Sequence, residues 1–267
     1  MANFHVLAGV DDRIVHPNIR RIGISDLVDA LRRGFDDFMA MPSHIIFLCI
    51  FYPIIGVVLA AWTSGNGALY MLFPLASGFA LVGPFAAIGL YEISRRRESG
   101  LETTWWHALD VRHSPALPSI AAVGLFLVAL FIAWLLVAQA LYVSAFGEEA
   151  PSSLGAFVDE MLHSAAGTWL AVIGMLVGFA FAVVVLCTTV VAFPILLDRD
   201  VGAYEAMVTS FRVVAANPLM MACWGLIVAA LLAIGSIPVF AGLMIVVPVL
   251  GHATWHLYRK VVELPRA

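Results

Sequence analysis

The chain has 267 residues, 62% of them hydrophobic and 12% charged, against about 25% charged in ordinary soluble domains. With a mean hydropathy of +0.98 and a formal net charge of −4, it is not a soluble globular domain. Its apolar residues are gathered into blocks near the roughly 20 residues that cross a hydrocarbon core about 30 Å thick.

Residues 1–23 form a polar N-terminal segment, and residues 1–42 contain no leading apolar region, so no cleavable signal peptide is expected. From Ile24 the spacing predicts an amphipathic helix, with Ile24, Leu27, Val28, Leu31, Phe35 and Phe38 on one face. Asp26, Asp29, Arg32, Arg33, Asp36 and Asp37 are placed opposite, so the helix is expected to lie in the membrane interface, apolar face down. Six apolar blocks follow, at 43–62, 68–93, 116–146, 165–197, 218–235 and 236–258. Pro53, Pro84 and Pro248 fall within them and are expected to kink them. The loop between the third and fourth blocks carries Glu148, Glu149, Asp159 and Glu160. It also holds a short amphipathic segment, Leu154, Phe157, Val158, Met161 and Leu162, with Ser152 and Ser153 placed to cap it.

The 14 Lys and Arg residues fix the orientation. Arg13, Arg20, Arg21, Arg32 and Arg33 precede the first block, and Arg95, Arg96, Arg97 and Arg112 lie between the second and third. Arg199 and Arg212 lie between the fourth and fifth, and Arg259, Lys260 and Arg266 follow the sixth. The alternate loops hold none. Short cytoplasmic loops carry the positive excess, so both termini are expected in the cytoplasm. The fold class that follows is all-α, a polytopic helical bundle of six spans with cytoplasmic interfacial helices.

An internal repeat organises the chain. Ala30 through Phe35 to Pro42 aligns without gaps with Ala206 through Phe211 to Pro218, and Pro84 to Arg95-Arg96 resembles Pro248 to Arg259-Lys260. A middle copy around Leu101, Trp105, Ala108 and Leu109, with Glu98, Glu102 and Asp110 opposite, completes a reading of three tandem units, about 24–97, 98–197 and 198–262, in one membrane domain.

Few residues carry chemistry. Polar groups inside spans are functional candidates because burial in hydrocarbon is costly, and here they are Gln139, Thr188 and Thr189, the two threonines being able to bond back to the helix. Glu92 beside Arg95 and Arg96, four residues from the latter, reads as an interfacial ion pair. His252 and His256 share a helix face and His44 starts the first block; together they are the weak candidates for haem or metal. Gly174 and Gly178 form a GxxxG for close helix packing. Arg95, Arg96, Arg97, Arg259 and Lys260 fix topology or meet headgroups. Cys49, Cys187 and Cys223 lie inside spans and read as packing residues. No HExxH, Walker loop, GxGxxG or GxSxG occurs, so no catalytic residue, metal or cofactor is assigned and no enzyme is expected.

Residues 73–100, from Phe73-Pro74 through Gly83-Pro84 and Tyr91-Glu92 to Arg95-Arg96-Arg97 and Gly100, resemble the signature of the bacterial integral-membrane family known as domain of unknown function 2189. The likeness reaches from about Ile24 to Val262. The stretch from Phe193-Pro194 to Asn217-Pro218 is similar to a broader set of six-span bacterial membrane proteins. That set includes the membrane domain attached to some glycerophosphodiester phosphodiesterases. Neither resemblance implies an activity. The first expectation is a non-catalytic accessory or scaffold subunit that packs against membrane lipids and other membrane proteins, a respiratory complex among them, with no nucleic acid involved. The alternatives are a transporter or channel for a small or lipidic solute, and a haem-binding respiratory accessory protein.

Overall fold

The computed structural model describes residues 17–40, 51–65, 68–149 and 151–263. His44 and Cys49 lie outside them, as does the start of the first apolar block. The described elements run β1 (Asn18–Ile19), α1 (Ile24–Ala40), α2 (Phe51–Gly65), a short 3-10 turn (Leu69–Met71), α3 (Leu72–Leu81), α4 (Gly83–Ala86) and α5 (Ile88–Glu98). There follow a 3-10 helix (Trp105–His113), α6 (Leu117–Phe146), α7 (Leu154–His163), α8 (Ala165–Thr189), α9 (Ala192–Asp198), α10 (Ala203–Ala216), α11 (Pro218–Ser236), α12 (Leu243–Val261) and β2 (Val262–Glu263). The fold is all-α apart from the antiparallel pairing of β1 with β2, Asn18 opposite Glu263, which joins the two ends of the described chain.

Among the described residues three helices are long and apolar enough to cross a membrane, Leu117–Phe146, Ala165–Asp198 and Pro218–Ser236. The second of these bends where α8 passes into α9 at Val190 and Val191. The second block is cut into α3, α4 and α5 by turns at Val82 and Ala87, with Pro84 in the first turn of α4, where its missing N–H costs no helical bond. Pro248 behaves differently and sits inside an unbroken α12. The sixth block starts later than its hydropathy suggests, because residues 237–242 form the turn out of α11. In that turn Val239 and Phe240 both take positive φ, 51° and 64°, a backbone that a β-branched residue adopts only under constraint. Gly235 and Gly242 supply the constraint, since a Cβ on Gly235 would lie 3.3 Å from the Gly242 carbonyl carbon.

In two amphipathic elements the apolar residues are divided between protein contact and exposure. In α1, Leu27, Ala30, Gly34, Asp37 and Phe38 are buried while Ile24, Val28 and Phe35 are exposed, so the predicted apolar face is split down its middle. One edge docks on α12. Gly34 makes that possible, because a Cβ there would stand 2.5 Å from the Ala253 backbone nitrogen. In the 105–113 segment the period is three rather than 3.6, and residues at i and i+3 eclipse. Ala108 and Val111 are therefore buried, whereas Leu109, expected beside Ala108, is exposed with Trp106.

These elements are seated in a regular order. The 3-10 helix packs on α5, α10 packs on α8, and α1 packs on α12. Aligned positions also share their environments: Ala30 and Ala206 are buried, as are Gly34 and Ser210, while Phe35 and Phe211 are exposed. The core sits between these seats, in Phe193, Ile195, Leu196, Leu90, Trp255 and Tyr258, all nearly inaccessible.

Candidate functional site

The last three turns of α12 bring polar side chains into this core, and α1, α5 and α9 supply their partners. Asp37 is the centre. It lies on the buried stripe of α1, three residues after Gly34, and not on the polar face where simple helical spacing puts it. Ser94 of α5 donates its hydroxyl hydrogen to Asp37 Oδ2 at 2.6 Å, and His256 Nε2 donates to the same oxygen at 2.9 Å. Arg97 Nε stands 3.3 Å from Oδ1. The Arg97 guanidinium also reaches the Asp36 and Asp37 carbonyls, at 3.2 and 3.4 Å, in the last turn of α1, where a cation complements the helix dipole.

Burial pushes the Asp37 carboxyl up, but the hydrogen bonds from His256 and Ser94 outweigh it and hold the group below the ordinary carboxylate value. With Asp37 ionised, Ser94 has no hydrogen left for His252, whose Nδ1 is 2.7 Å from Ser94 Oγ. His252 must then present Nδ1–H to that oxygen, a tautomer assigned from the network. Its Nε2 is left as a buried lone pair without a hydrogen-bond partner among the described residues. Ser94 and His252 are both 0% exposed, so this serine–histidine contact offers no substrate an approach; what the arrangement does is join three elements.

A second ring of charge surrounds it. Glu98 accepts from Trp255 Nε1 at 3.0 Å and Arg259 Nε at 3.1 Å, and Asp198 accepts from the Tyr258 hydroxyl at 2.8 Å. Lys260 holds Asp29 at 2.8 Å, and this hydrogen bond holds the Asp29 carboxyl below its ordinary value. Glu92 pairs in two-pronged fashion with Arg95, both bonds 2.8 Å, which raises the Arg95 guanidinium further. Arg96, four residues on, turns instead to Asp110 at 3.3 Å. Arg95, Arg96, Arg97, Arg259 and Lys260 are thus all tied to carboxylates of the chain itself. Asn217 closes the ring at the other terminus, accepting from the Ile22 N–H and donating to the Arg20 carbonyl, at 2.9 and 3.0 Å.

The remaining sequence candidates lie apart from this cluster. His44 falls outside the described residues. Thr188 and Thr189 return their hydroxyls to the Val184 and Val185 carbonyls, both at 2.7 Å. Gln139 is half-buried on α6. Gly178 meets the Trp134 ring, and a Cβ on Gly174 would meet nothing within 4 Å, so the GxxxG seats no helix backbone. Gly174 instead lines an apolar hollow of about 240 Å³ at the opposite end, with Tyr70, Phe73, Trp134, Tyr142 and Phe157. Gln139 is not among its walls. Ser153 caps α7 as expected, accepting from the Ala156 N–H at 3.1 Å. Among the described residues no group of three His, Cys, Asp or Glu side chains is arranged to hold a metal ion.

Sequence reasoning found His252 and His256 but missed Asp37, Ser94, Glu98 and Asp198 as their neighbours and supports. The available signal was the small-residue stripe Ala30, Gly34, Asp37, at the i, i+4, i+7 spacing of a docked helix face.

Residues 72–198 match the model of a family described as a predicted integral membrane protein (DUF2189). The match starts at α3 and ends with α9, a shorter reach than the 24–262 of the sequence resemblance, and it includes Ser94, Arg97, Glu98 and Asp198 but not α1 or α12. No curated protein and no solved structure matches the chain. The apolar helices and this family together make it a multi-pass membrane protein.

Proposed function

We propose that this chain is a non-catalytic accessory or scaffold protein of a bacterial inner membrane, both termini cytoplasmic, that packs against a membrane complex or its lipids. One observation carries the reading: the polar groups buried at the basic end are spent on joining α1, α5, α9 and α12, with Ser94 and His252 sealed from any substrate. A site that turns over needs an open approach and a group whose partners change; this one has neither. The structure-building role fits three tandem units, 24–97, 98–197 and 198–262. Each unit's amphipathic element then rests on a helix of the unit before it, and the first rests on a helix of the third. The test is purification from native membranes in mild detergent with mass spectrometry of what remains bound. A stoichiometric membrane-protein partner is expected. A lone protein that catalyses solute flux in proteoliposomes would overturn the reading.

The hollow lined by Gly174 and Trp134 favours one second reading, a carrier for a lipidic solute, since its walls are apolar and helices α6 and α8 flank it. Gly174→Leu would fill the hollow and abolish such transport, and unchanged flux in that variant would dismiss the carrier.

A further inference from the structure

Sorting the cations by partner separates those that build the fold from those that face outward. Arg20, Arg33, Arg95, Arg96, Arg97, Arg212, Arg259 and Lys260 are held by carboxylates of the chain, and Arg199 is also engaged. Arg21, Arg32 and Arg112 are exposed and find no acidic partner among the described residues.

Their places are not random. Arg32 follows Val28 by four residues and precedes Phe35 by three, so it sits between them on the surface of α1. Val28 and Phe35 are 59% and 49% exposed. Arg112 follows Leu109 and Trp106 at intervals of three in a 3-10 helix, where such residues eclipse into one row. Trp106 and Leu109 are 60% and 45% exposed. Arg21 is flanked by backbone that Asn217 pins on both sides, which presents its side chain outward from a fixed segment. Asp29 and Asp36 flank Arg32 at three and four residues, but Asp29 is held by Arg33 and Lys260, and Arg32 is left beside the exposed apolar row.

We propose that Arg21, Arg32 and Arg112 bind the phosphates of anionic phospholipids in the leaflet at the basic end, while the apolar row beside each helix-borne arginine enters the interface. An unpaired guanidinium next to exposed aromatic and aliphatic side chains is complementary to a phosphate above acyl chains, and bidentate recognition of phosphate suits arginine. The five basic residues singled out by charge clustering alone are internally neutralised and contribute nothing to this contact. The inference rests on the membrane reading, and deepens it by naming the lipid class.

Each cation near an anionic surface is worth roughly 1 kcal/mol, which is about a five-fold preference. The experiment is native mass spectrometry of the detergent-purified chain titrated with phosphatidylglycerol and, separately, phosphatidylcholine. The wild type is expected to retain phosphatidylglycerol preferentially. Arg21→Gln/Arg32→Gln/Arg112→Gln is expected to lose most of that preference with an unchanged melting temperature, and Arg33→Gln, which removes a paired cation, is expected to keep it. A triple variant with wild-type preference overturns the proposal, as does equal retention of both lipids by the wild type. Adding free phosphate in excess must leave lipid retention intact; displacement by free phosphate would reassign the site to a soluble anion and overturn the lipid. A chain that co-purifies with a partner yet shows no lipid preference refutes this contact and leaves the scaffold standing.

Discussion

Asp37→Ala is the most informative single change, because it removes one carboxylate that three elements share. The variant loses the acceptor for Ser94, for His256 and for Arg97. Arg97 is 38% exposed in its side chain and can turn to water, so its loss counts little. Ser94 can redirect its hydroxyl to His252 Nδ1 once that imidazole shifts its proton to Nε2. His256, 12% exposed in its side chain, is left without its acceptor. Hydrogen bonds to a charged group are worth about 1.5–3 kcal/mol each, and breaking a buried pair by removing one partner costs about 3–5 kcal/mol. At about 2–4 °C per kcal/mol for a chain of this size, the melting temperature should fall by about 10 °C. The assay is thermal unfolding in mild detergent with a thiol-reactive dye, since Cys187 and Cys223 are free and half-buried on α8 and α11. Asp37→Asn should fall about half as far, because the amide oxygen still accepts one bond. The sign of the pH dependence follows from the depressed folded pKa: the carboxylate's stabilisation is complete above the unfolded value of 3.8 and is lost as pH falls through the lower folded one. The gap between wild type and Asp37→Asn is therefore constant above about pH 5 and closes in acid below 3.8. An Asp37→Ala protein that melts within 1–2 °C of wild type, on the ~10 °C scale set above, would refute the assignment of these bonds as the seat of α1.

Gly34→Val should cost at least 1–3 kcal/mol, because its side chain would displace the α12 backbone at Ala253, whereas Gly174→Ala, which meets nothing, should be neutral or slightly stabilising in the same melt. Tyr258→Phe removes the hydroxyl bonded to Asp198 and should lower stability by about 1–2 kcal/mol, read by the same dye. Cysteines placed at exposed Ser25 and Glu263 should both react with an impermeant maleimide only in inverted vesicles, and one at exposed Glu149 only in right-side-out spheroplasts; any other pattern would reverse the topology.

The helical class and the membrane setting were legible because both depend on summed hydropathy, which no local contact can undo. The positions of α1, α10 and the cap at Ser153 were legible for a related reason, since spacing and capping chemistry act over a few residues. What the sequence could not show is which of two apolar edges of α1 meets protein. Leu27 and Phe35 are equally hydrophobic, and only the closeness allowed by Gly34 and Ala253 selects the first for burial. The same limit hid Asp37, whose partners are 57 and 219 residues away. Leu109 was misplaced because a 3.6-residue period was assumed where the chain winds with three. His252 and His256 were visible as a pair, but a spacing of four says only that they share a face, not that the face meets a carboxylate and a serine.

The seat of α1 on α12 also has a consequence for biosynthesis. Asp37 and His256 are separated by 219 residues, and at roughly 5–20 residues per second of translation the first amphipathic helix leaves the ribosome about 10–45 s before its counterpart exists. During that interval its carboxylate has neither imidazole, and β1 has no strand to pair with. The N-terminal helix must wait at the membrane surface, and ribosomes that stop short of α12 release chains whose first helix has nowhere to dock. Until α12 is made, the buried edge of α1 therefore lacks the surface that seats it.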